Sequence, residues 1–153
     1  MNPTESPAVA SCGQPAAVLD TNAVLDWLLF RDPGIDAIAT AIETGALRWL
    51  ATPHMRCELQ RTLAYPALEK WRPDCERTLA IFDRRALICA EPMRTQHDAL
   101  VCSDPDDQVF IDLALAQGAL WLVTHDRALL RLARHAARHG VQVLRPRDWR
   151  SPI

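Results

Sequence analysis

Carboxylate side chains occur at several points where a short apolar segment of this sequence ends or where a helix is predicted. The candidates are Asp20, Glu58, Asp104, Asp107 and Asp126. Two carboxylates a few ångströms apart repel each other by about 4 kcal/mol at an effective dielectric constant of about 20, so a cluster of them needs protonation, separation or a cation. Lys70 is the only lysine, so no second ammonium group is present to neutralise several acids. Hard oxygen ligands without paired His or Cys suit Mg²⁺ or Mn²⁺, which can hold phosphate oxygens and activate water for hydrolysis.

Each of these acids also has a purely structural interpretation. Asp104 precedes a proline and is a good helix N-cap, and Asp107 would gain from the dipole of the same helix. Asp20 and Asp126 could each cap a helix, and Glu58 alone could be an ordinary surface residue. The metal hypothesis therefore depends on whether the fold brings these acids together.

Short apolar runs alternate with helical patterns along most of the chain, which predicts a parallel sheet covered on both faces. The predicted strands are 17–19, 47–51, 87–90, 119–124 and 141–144. The predicted helices are 23–30, 35–44, one that opens at 52–53, 74–86, 104–117 and 126–139. We expect a three-layer α/β/α sandwich with a central parallel sheet over residues 17–153, preceded by a flexible N-terminal tail over residues 1–16. In such sheets ligands bind beyond the carboxyl ends of the strands, where Asp20 and Asp126 would lie.

Composition excludes several classes of protein. The chain of 153 residues has the size of one domain, and its 17 basic and 19 acidic residues exclude a strongly cationic nucleic-acid binder. No apolar run approaches the roughly 18 residues that span a bilayer, and the first residues lack the pattern of a secretory signal. The five cysteines are odd in number and form no Cys-x-x-Cys pair. We therefore expect a cytoplasmic protein with reduced thiols and no membrane partner.

Three segments together resemble the motifs of the PIN domain family. They are VLDTN at 18–22, SDPDDQVF at 103–110 and LVTHD at 122–126. Their order and spacing agree with the family, and the resemblance covers roughly residues 17–149. The branch that the sequence resembles most comprises the toxin components of bacterial toxin–antitoxin systems.

The resemblance implies a Mg²⁺- or Mn²⁺-dependent ribonuclease that hydrolyses RNA phosphodiester bonds. The four positions that match the family's acids are Asp20, Glu58, Asp107 and Asp126. On this resemblance all four are expected to be catalytic and to hold the metal. It also implies that these proteins commonly dimerise and are inhibited by a small antitoxin protein.

Further polar residues match supporting positions of the family's site. Thr21 or Asn22 and Thr124 would support the acids. Many members carry another acid two residues after the position of Asp126, where this chain has Ala128. Either one metal position is weaker here, or Asp104 compensates in part.

Two surfaces are candidates for contacts with partners. On one predicted helix four arginines form a narrow stripe that could contact RNA phosphates or simply be a solvated helix face: Arg127, Arg131, Arg134 and Arg138. Residues 27–30 are more apolar than a one-sided helix needs, which suggests a homodimer or partner surface.

Two other functions remain open at the level of sequence. An aspartyl phosphatase of the haloacid dehalogenase type also begins with an Asp after its first strand, but this chain has Asn22 where a second Asp is needed, and Lys70 is poorly placed. A catalytically weak PIN-like module that binds RNA or protein is the other alternative, and Ala128 lends it slight support.

Overall fold

A central sheet of five short parallel strands organises the protein, as seen in a computed structural model that describes residues 13–152. The strands are β1 (Ala16–Leu19), β2 (Arg48–Ala51), β3 (Ala86–Ile88), β4 (Trp121–Val123) and β5 (Gln142–Leu144). They pair in parallel in the order β3-β2-β1-β4-β5. The predicted fold class is thereby confirmed.

Helices connect the strands and flank the sheet. The α-helices are α1 (Thr21–Leu25), α2 (Asp36–Glu43), α3 (Pro53–Leu63), α4 (Cys75–Arg85), α5 (Gln108–Gln117), α6 (Arg127–Leu130) and α7 (Ala133–Ala137). Short 3₁₀ turns cover Pro33–Ile35, Pro66–Trp71, Asp98–Leu100, Pro105–Asp107 and Pro146–Asp148. Among the residues described, no helix is both long and apolar enough to cross a membrane.

The strand order places a topological switch point between β1 and β4. Strands β2 and β3 are added in turn on one side of β1, and the chain then returns so that β4 and β5 lie on the other side of β1. Connections that leave in opposite directions open a crevice at the carboxyl ends of those two strands, where open α/β sheets bind their ligands. The residues that follow β1 and β4 therefore line the crevice.

The core lies where the sheet meets its helices and consists mainly of apolar side chains. Trp49 of β2 is almost completely buried, and its ring meets Trp27 and Phe82 edge-on, with ring centroids 5.4 and 5.0 Å away. Aromatic pairs in this geometry contribute beyond their buried area. This packing fixes β2 against α4 and so holds in place one side of the crevice.

The helix that follows β1 differs from its predicted form. It begins at Thr21 rather than at residue 23, and from Asp26 to Phe30 it widens into a π-helix that ends at Arg31 in a left-handed conformation (φ 55°). The wider turns leave residues 27–30 half-buried and packed against the core. Their role as a homodimer or partner surface stays a prediction.

The helix predicted over 126–139 is two short helices, α6 and α7. At the junction the N–H of Leu132 donates to the carbonyl of Leu129 rather than one residue further back, so the helix tightens into a turn. The arginine stripe is therefore divided, with Arg127 and Arg131 on the first part and Arg134 and Arg138 on the second. All four side chains are exposed, and their contact with RNA stays a prediction.

Strand β1 begins at Ala16, one residue before its predicted start, because Ala16 pairs with Arg48 and the N–H of Arg48 donates to the carbonyl of Pro15. The boundary between tail and domain stays a prediction. Residues 1–12 of the predicted tail, which include Cys12, lie outside the described residues.

Candidate metal centre

Three carboxylates converge at the mouth of the crevice. Asp104, Asp107 and Asp126 each offer one oxygen, and these oxygens lie within 4.8 Å of one another. Asp104 Oδ1 accepts the N–H of Asp106 at the start of the 3₁₀ turn before α5. Asp126 Oδ1 accepts the N–H of Ala128 at the start of α6. Asp104 and Asp126 therefore each cap a turn and also lie close to each other.

Asp107 differs from the other two acids in having a buried carboxylate oxygen and a raised pKa. Its Oδ2 atom is buried and has no hydrogen-bond partner among the described residues. Burial, a hydrogen bond with Asp126 and the charges of the neighbouring acids raise the pKa of Asp107, and that hydrogen bond lowers the pKa of Asp126. Without a cation, a proton held between these two carboxyls is the remaining way to relieve their repulsion.

Asp20 lies on the buried side of this cluster. Its Oδ1 accepts the N–H of Ala23 at 2.8 Å and so caps α1, and its Oδ2 accepts the hydroxyl of Thr124. Burial raises the pKa of Asp20 to about 6, although both hydrogen bonds act in the opposite direction. The charge of Asp20 contributes to the raised pKa of Asp107, so the two acids belong to one electrostatic unit.

Thr124 joins the acids that follow β1 and β4. Its fully buried hydroxyl donates to Asp20 Oδ2 and accepts the N–H of Asp126 at 2.9 Å. One side chain thus links the carboxylate of Asp20 to the backbone of Asp126, although the two acids are 106 positions apart in the chain. Its role as a supporting residue of the site stays a prediction.

Replacing Thr124 by valine should lower the affinity for Mn²⁺ roughly 10- to 100-fold, the usual effect of losing a group that orients metal ligands. It should also lower the free energy of unfolding by about 1–3 kcal/mol, because Asp20 and the Asp126 N–H lose a buried partner. Titration calorimetry and urea unfolding measure the two effects. Thr124→Ser, which keeps the hydroxyl, is the control, and a valine variant that binds Mn²⁺ like the serine variant would contradict the role.

Glu58 approaches the site through a neighbouring side chain. Helix α3 starts where Thr52 Oγ1 accepts the N–H of Met55, and Arg56 ties the helix to α4 through Asp83 with contacts of 2.7 and 2.9 Å. One turn further on, Glu58 Oε2 accepts the hydroxyl of Thr21 at 3.1 Å. Glu58 is thus linked to the residue after Asp20, although it is not one of the three clustered acids.

The loop that carries Asp104 is fastened to α5 by a buried polar network. Gln108 accepts the N–H of Cys102 at 2.6 Å, and its amide donates to the carbonyl of Leu100 and to Asp112, both at 3.0 Å. Asp112 also accepts the N–H of Thr95. Three of these four bonds tie the segment before Asp104 to the helix that follows Asp107, and the fourth lies within that helix. The network therefore helps to fix the spacing of these two acids.

A divalent cation of the hard class fits these residues. All donors are carboxylate oxygens, the three clustered oxygens are close enough to share one ion, and the buried Asp107 Oδ2 lacks a partner that an ion would supply. Asp104, Asp107 and Asp126 would hold the ion directly, with Asp20 beside them. Asp104 therefore stands nearer the centre than its predicted supporting role implied.

Not every predicted residue lies in the cluster. Asn22 is exposed on α1, and Glu58 is joined to the site only through Thr21. The charge of Arg131 contributes to the lowered pKa of Asp126, so one arginine of the divided stripe lies near the acids. Arg145 was not predicted, but it directly follows β5 and lies at the same sheet edge, as its position after a strand could have indicated.

The family model described as PIN domain matches residues 16–128, which is more than half of the chain. This chain belongs to the PIN domain family. The predicted family membership is confirmed, and the family's members are generally nucleases. The match favours a nuclease over the phosphatase alternative. No curated protein is significantly similar in sequence.

Two solved structures show the same fold as this PIN domain at low sequence identity. The crystal structure of VapBC2 from Rickettsia felis bound to a promoter DNA fragment is 14% identical, with a TM-score of 0.55, and the match covers 84% of this chain and 96% of that chain. PAE2754 from Pyrobaculum aerophilum is 17% identical, with a TM-score of 0.54, and the match covers 85% of this chain and 83% of that chain. At these identities the likeness extends to the fold alone.

Proposed function

We propose that this PIN domain is a Mg²⁺- or Mn²⁺-dependent ribonuclease. The observation that carries the proposal is the convergence of Asp104, Asp107 and Asp126 at the switch point of the sheet, with a buried Asp107 oxygen that has no partner among the described residues. A divalent cation bound there would neutralise phosphate oxygens, acidify a water molecule and stabilise the leaving oxygen.

The protein's own residues have distinct tasks in this proposal. Asp104, Asp107 and Asp126 present acceptor oxygens toward the crevice, and Asp20 adds a fourth carboxylate whose position Thr124 and the Ala23 N–H fix. Glu58 enters from the β2 side with its carboxylate oriented by Thr21. The network around Gln108 keeps this spacing when a phosphodiester binds, so little reorganisation is needed.

The direct test is cleavage of a labelled single-stranded RNA by the full chain in Mg²⁺, Mn²⁺, Ca²⁺ and EDTA. We expect cleavage with Mg²⁺ or Mn²⁺ and none in EDTA. A phosphate monoester serves as the second substrate, and its turnover through a trapped phospho-aspartate on Asp20 would instead indicate a phosphatase. Mn²⁺ binding seen by calorimetry without RNA cleavage would show a non-catalytic binding module and refute the enzymatic proposal.

A toxin role with a small antitoxin partner extends this proposal. It is supported by the resemblance of the motifs to the toxin branch and by the fold shared with a VapBC2 structure. Since the substrate is RNA, the reaction would take place in the cytoplasm. We expect production of this chain to arrest growth and co-production of a neighbouring short DNA-binding protein to restore it. A homodimer stays a prediction, which light scattering can check.

A further inference from the structure

A separate cavity lies at the same sheet edge, next to the acidic cluster. It has a volume of about 420 Å³. His125, which precedes Asp126, and the turn that follows β5 form part of its lining. Its lining includes Asp26, Asp32, His125, Arg145 and Arg147. Small-molecule sites span about 300–1,000 Å³, so the cavity suits one nucleotide and not a duplex.

Two arginines line this cavity without a bonded side-chain partner among the described residues. Arg145 is half-buried and Arg147 is exposed, and within residues 13–152 neither guanidinium makes a hydrogen bond or an ion pair. Two carboxylates line the same cavity, yet neither pairs with them. A guanidinium group that lacks an anionic partner can bind two oxygens of a phosphate group at once, so these arginines favour a phosphate as the ligand.

The two carboxylates of the cavity are bonded to other residues of its wall and not to the arginines. Asp26 binds the ring of His125, and Asp32 Oδ1 accepts the N–H of Gly34 at 2.8 Å. The two carboxylates would repel any anion beyond the one phosphate that the arginines bind. Their oxygens can, however, accept hydrogen bonds from the amino or hydroxyl groups of a nucleoside. The arginines thus give the cavity positive charge, and the two aspartates give it hydrogen-bond acceptors. A nucleotide, with one phosphate and several hydrogen-bond donors, matches this lining better than a polyanion does.

The position of the cavity relates it to the proposed reaction. Residues that follow the strand ends occur in the order Glu58, Asp20, Asp126 and Arg145 along the sheet edge, because the strands themselves are ordered β2-β1-β4-β5. His125 lines the cavity while its neighbour Asp126 belongs to the acidic cluster. A chain running along this edge would place consecutive nucleotides at the acids and in the cavity.

We propose that this cavity is a substrate subsite that binds the nucleotide flanking the scissile phosphodiester of a single-stranded RNA, with Arg145 and Arg147 holding its phosphate. The proposal rests on the ribonuclease function proposed above. It assigns RNA binding to the turn after β5, which is a different surface from the arginine stripe on α6 and α7.

Binding of a fluorescent single-stranded RNA in EDTA, measured by anisotropy over a salt series, tests the subsite without relying on cleavage. Arg145→Gln and Arg147→Gln should each weaken binding roughly tenfold and lower the salt slope by about 0.7 for each phosphate that the variant no longer neutralises. Arg77→Gln on α4 is the matched control, because Arg77 is exposed, its side chain makes no bond to a described residue, and it does not line this cavity. Thermal melts verify that each variant is folded.

A second arm uses a 5′-mononucleotide as the ligand and separates a chain subsite from a site for free nucleotides. We expect the mononucleotide to bind far more weakly than the RNA. Equal affinity for both, abolished in the two arginine variants, would identify a free-nucleotide site and overturn the subsite. Wild-type affinity for RNA in both variants would overturn it as well, even if the protein cleaves RNA. Loss of binding in a protein that proves unable to cleave RNA would instead refute only the ribonuclease function.

Discussion

Asp107→Asn is expected to lower metal-dependent RNA cleavage by more than about 100-fold and, at the same time, to stabilise the metal-free protein near neutral pH. Residues that only orient metal ligands already change activity about 10- to 100-fold, and Asp107 belongs to the cluster itself. The amide removes an ionisable group that is crowded by Asp126, Asp104 and Asp20. The crowding of negative charge that the cation requires is also what destabilises the metal-free protein. Removing one charge should therefore lower activity and raise stability together.

The experiment compares initial cleavage rates in Mn²⁺, and urea unfolding both in EDTA and in Mn²⁺, for the wild type, the Asp107→Asn variant and a control variant. Asp106→Asn is the matched control, because Asp106 lies in the same 3₁₀ turn, is exposed and is not one of the clustered acids. Mn²⁺ at 100 times its dissociation constant should stabilise the wild type and the control by about 2.7 kcal/mol. Cleavage by the Asp107 variant at a rate similar to the control would rule out Asp107 as a ligand of the ion.

The metal-free protein is expected to lose stability as the pH rises from about 4 toward neutrality. The unfolded chain releases the Asp20 proton near the ordinary value of 3.8, whereas the folded protein holds it until about pH 6. Between these values the folded state binds more protons, so the free energy of unfolding falls as the pH increases. For Asp20 the loss is about 3 kcal/mol once both states are ionised. The raised pKa of Asp107 extends the decline to higher pH.

Urea unfolding in EDTA at several pH values measures this dependence. Asp20→Asn should reduce the slope between pH 4 and 6 without abolishing it, because Asp26 and Asp107, whose pKa values burial also raises, still contribute. The Arg56–Asp83 ion pair lowers the pKa of Asp83, so its stabilisation is lost only as the pH falls below about 4, outside this window. A metal-free protein whose stability stays constant or increases from pH 4 to 7 would contradict the electrostatic description of the site.

Local sequence patterns were sufficient to predict the strands and several of the acids. Each apolar run at a predicted strand is one of the five strands. The reason is clearest for β1 and β4, which are buried along their whole length, because a strand buried on both faces must be apolar throughout. The helix start at 52–53 and the Asp104 cap were recognisable from neighbouring residues alone, and Thr52 and Asp104 each accept a backbone N–H of the turn that follows. Helix interiors were less predictable. The π-turns at 26–30 and the break between α6 and α7 depend on packing, which a periodic pattern does not contain.

The sequence by itself determined which residue types stand at the ends of the strands, and therefore which acids were available to the site. Only the tertiary structure decided how they combine. The order β3-β2-β1-β4-β5 brings Thr124 to Asp20 and His125 to Asp26, contacts that span 104 and 99 positions. The same order places Arg145 at the sheet edge that carries the acids, and the turn before α5 places Asp104 in their cluster. Such contacts follow from hydrogen bonds between strands remote in the chain, and local patterns carry no information about which strands will pair.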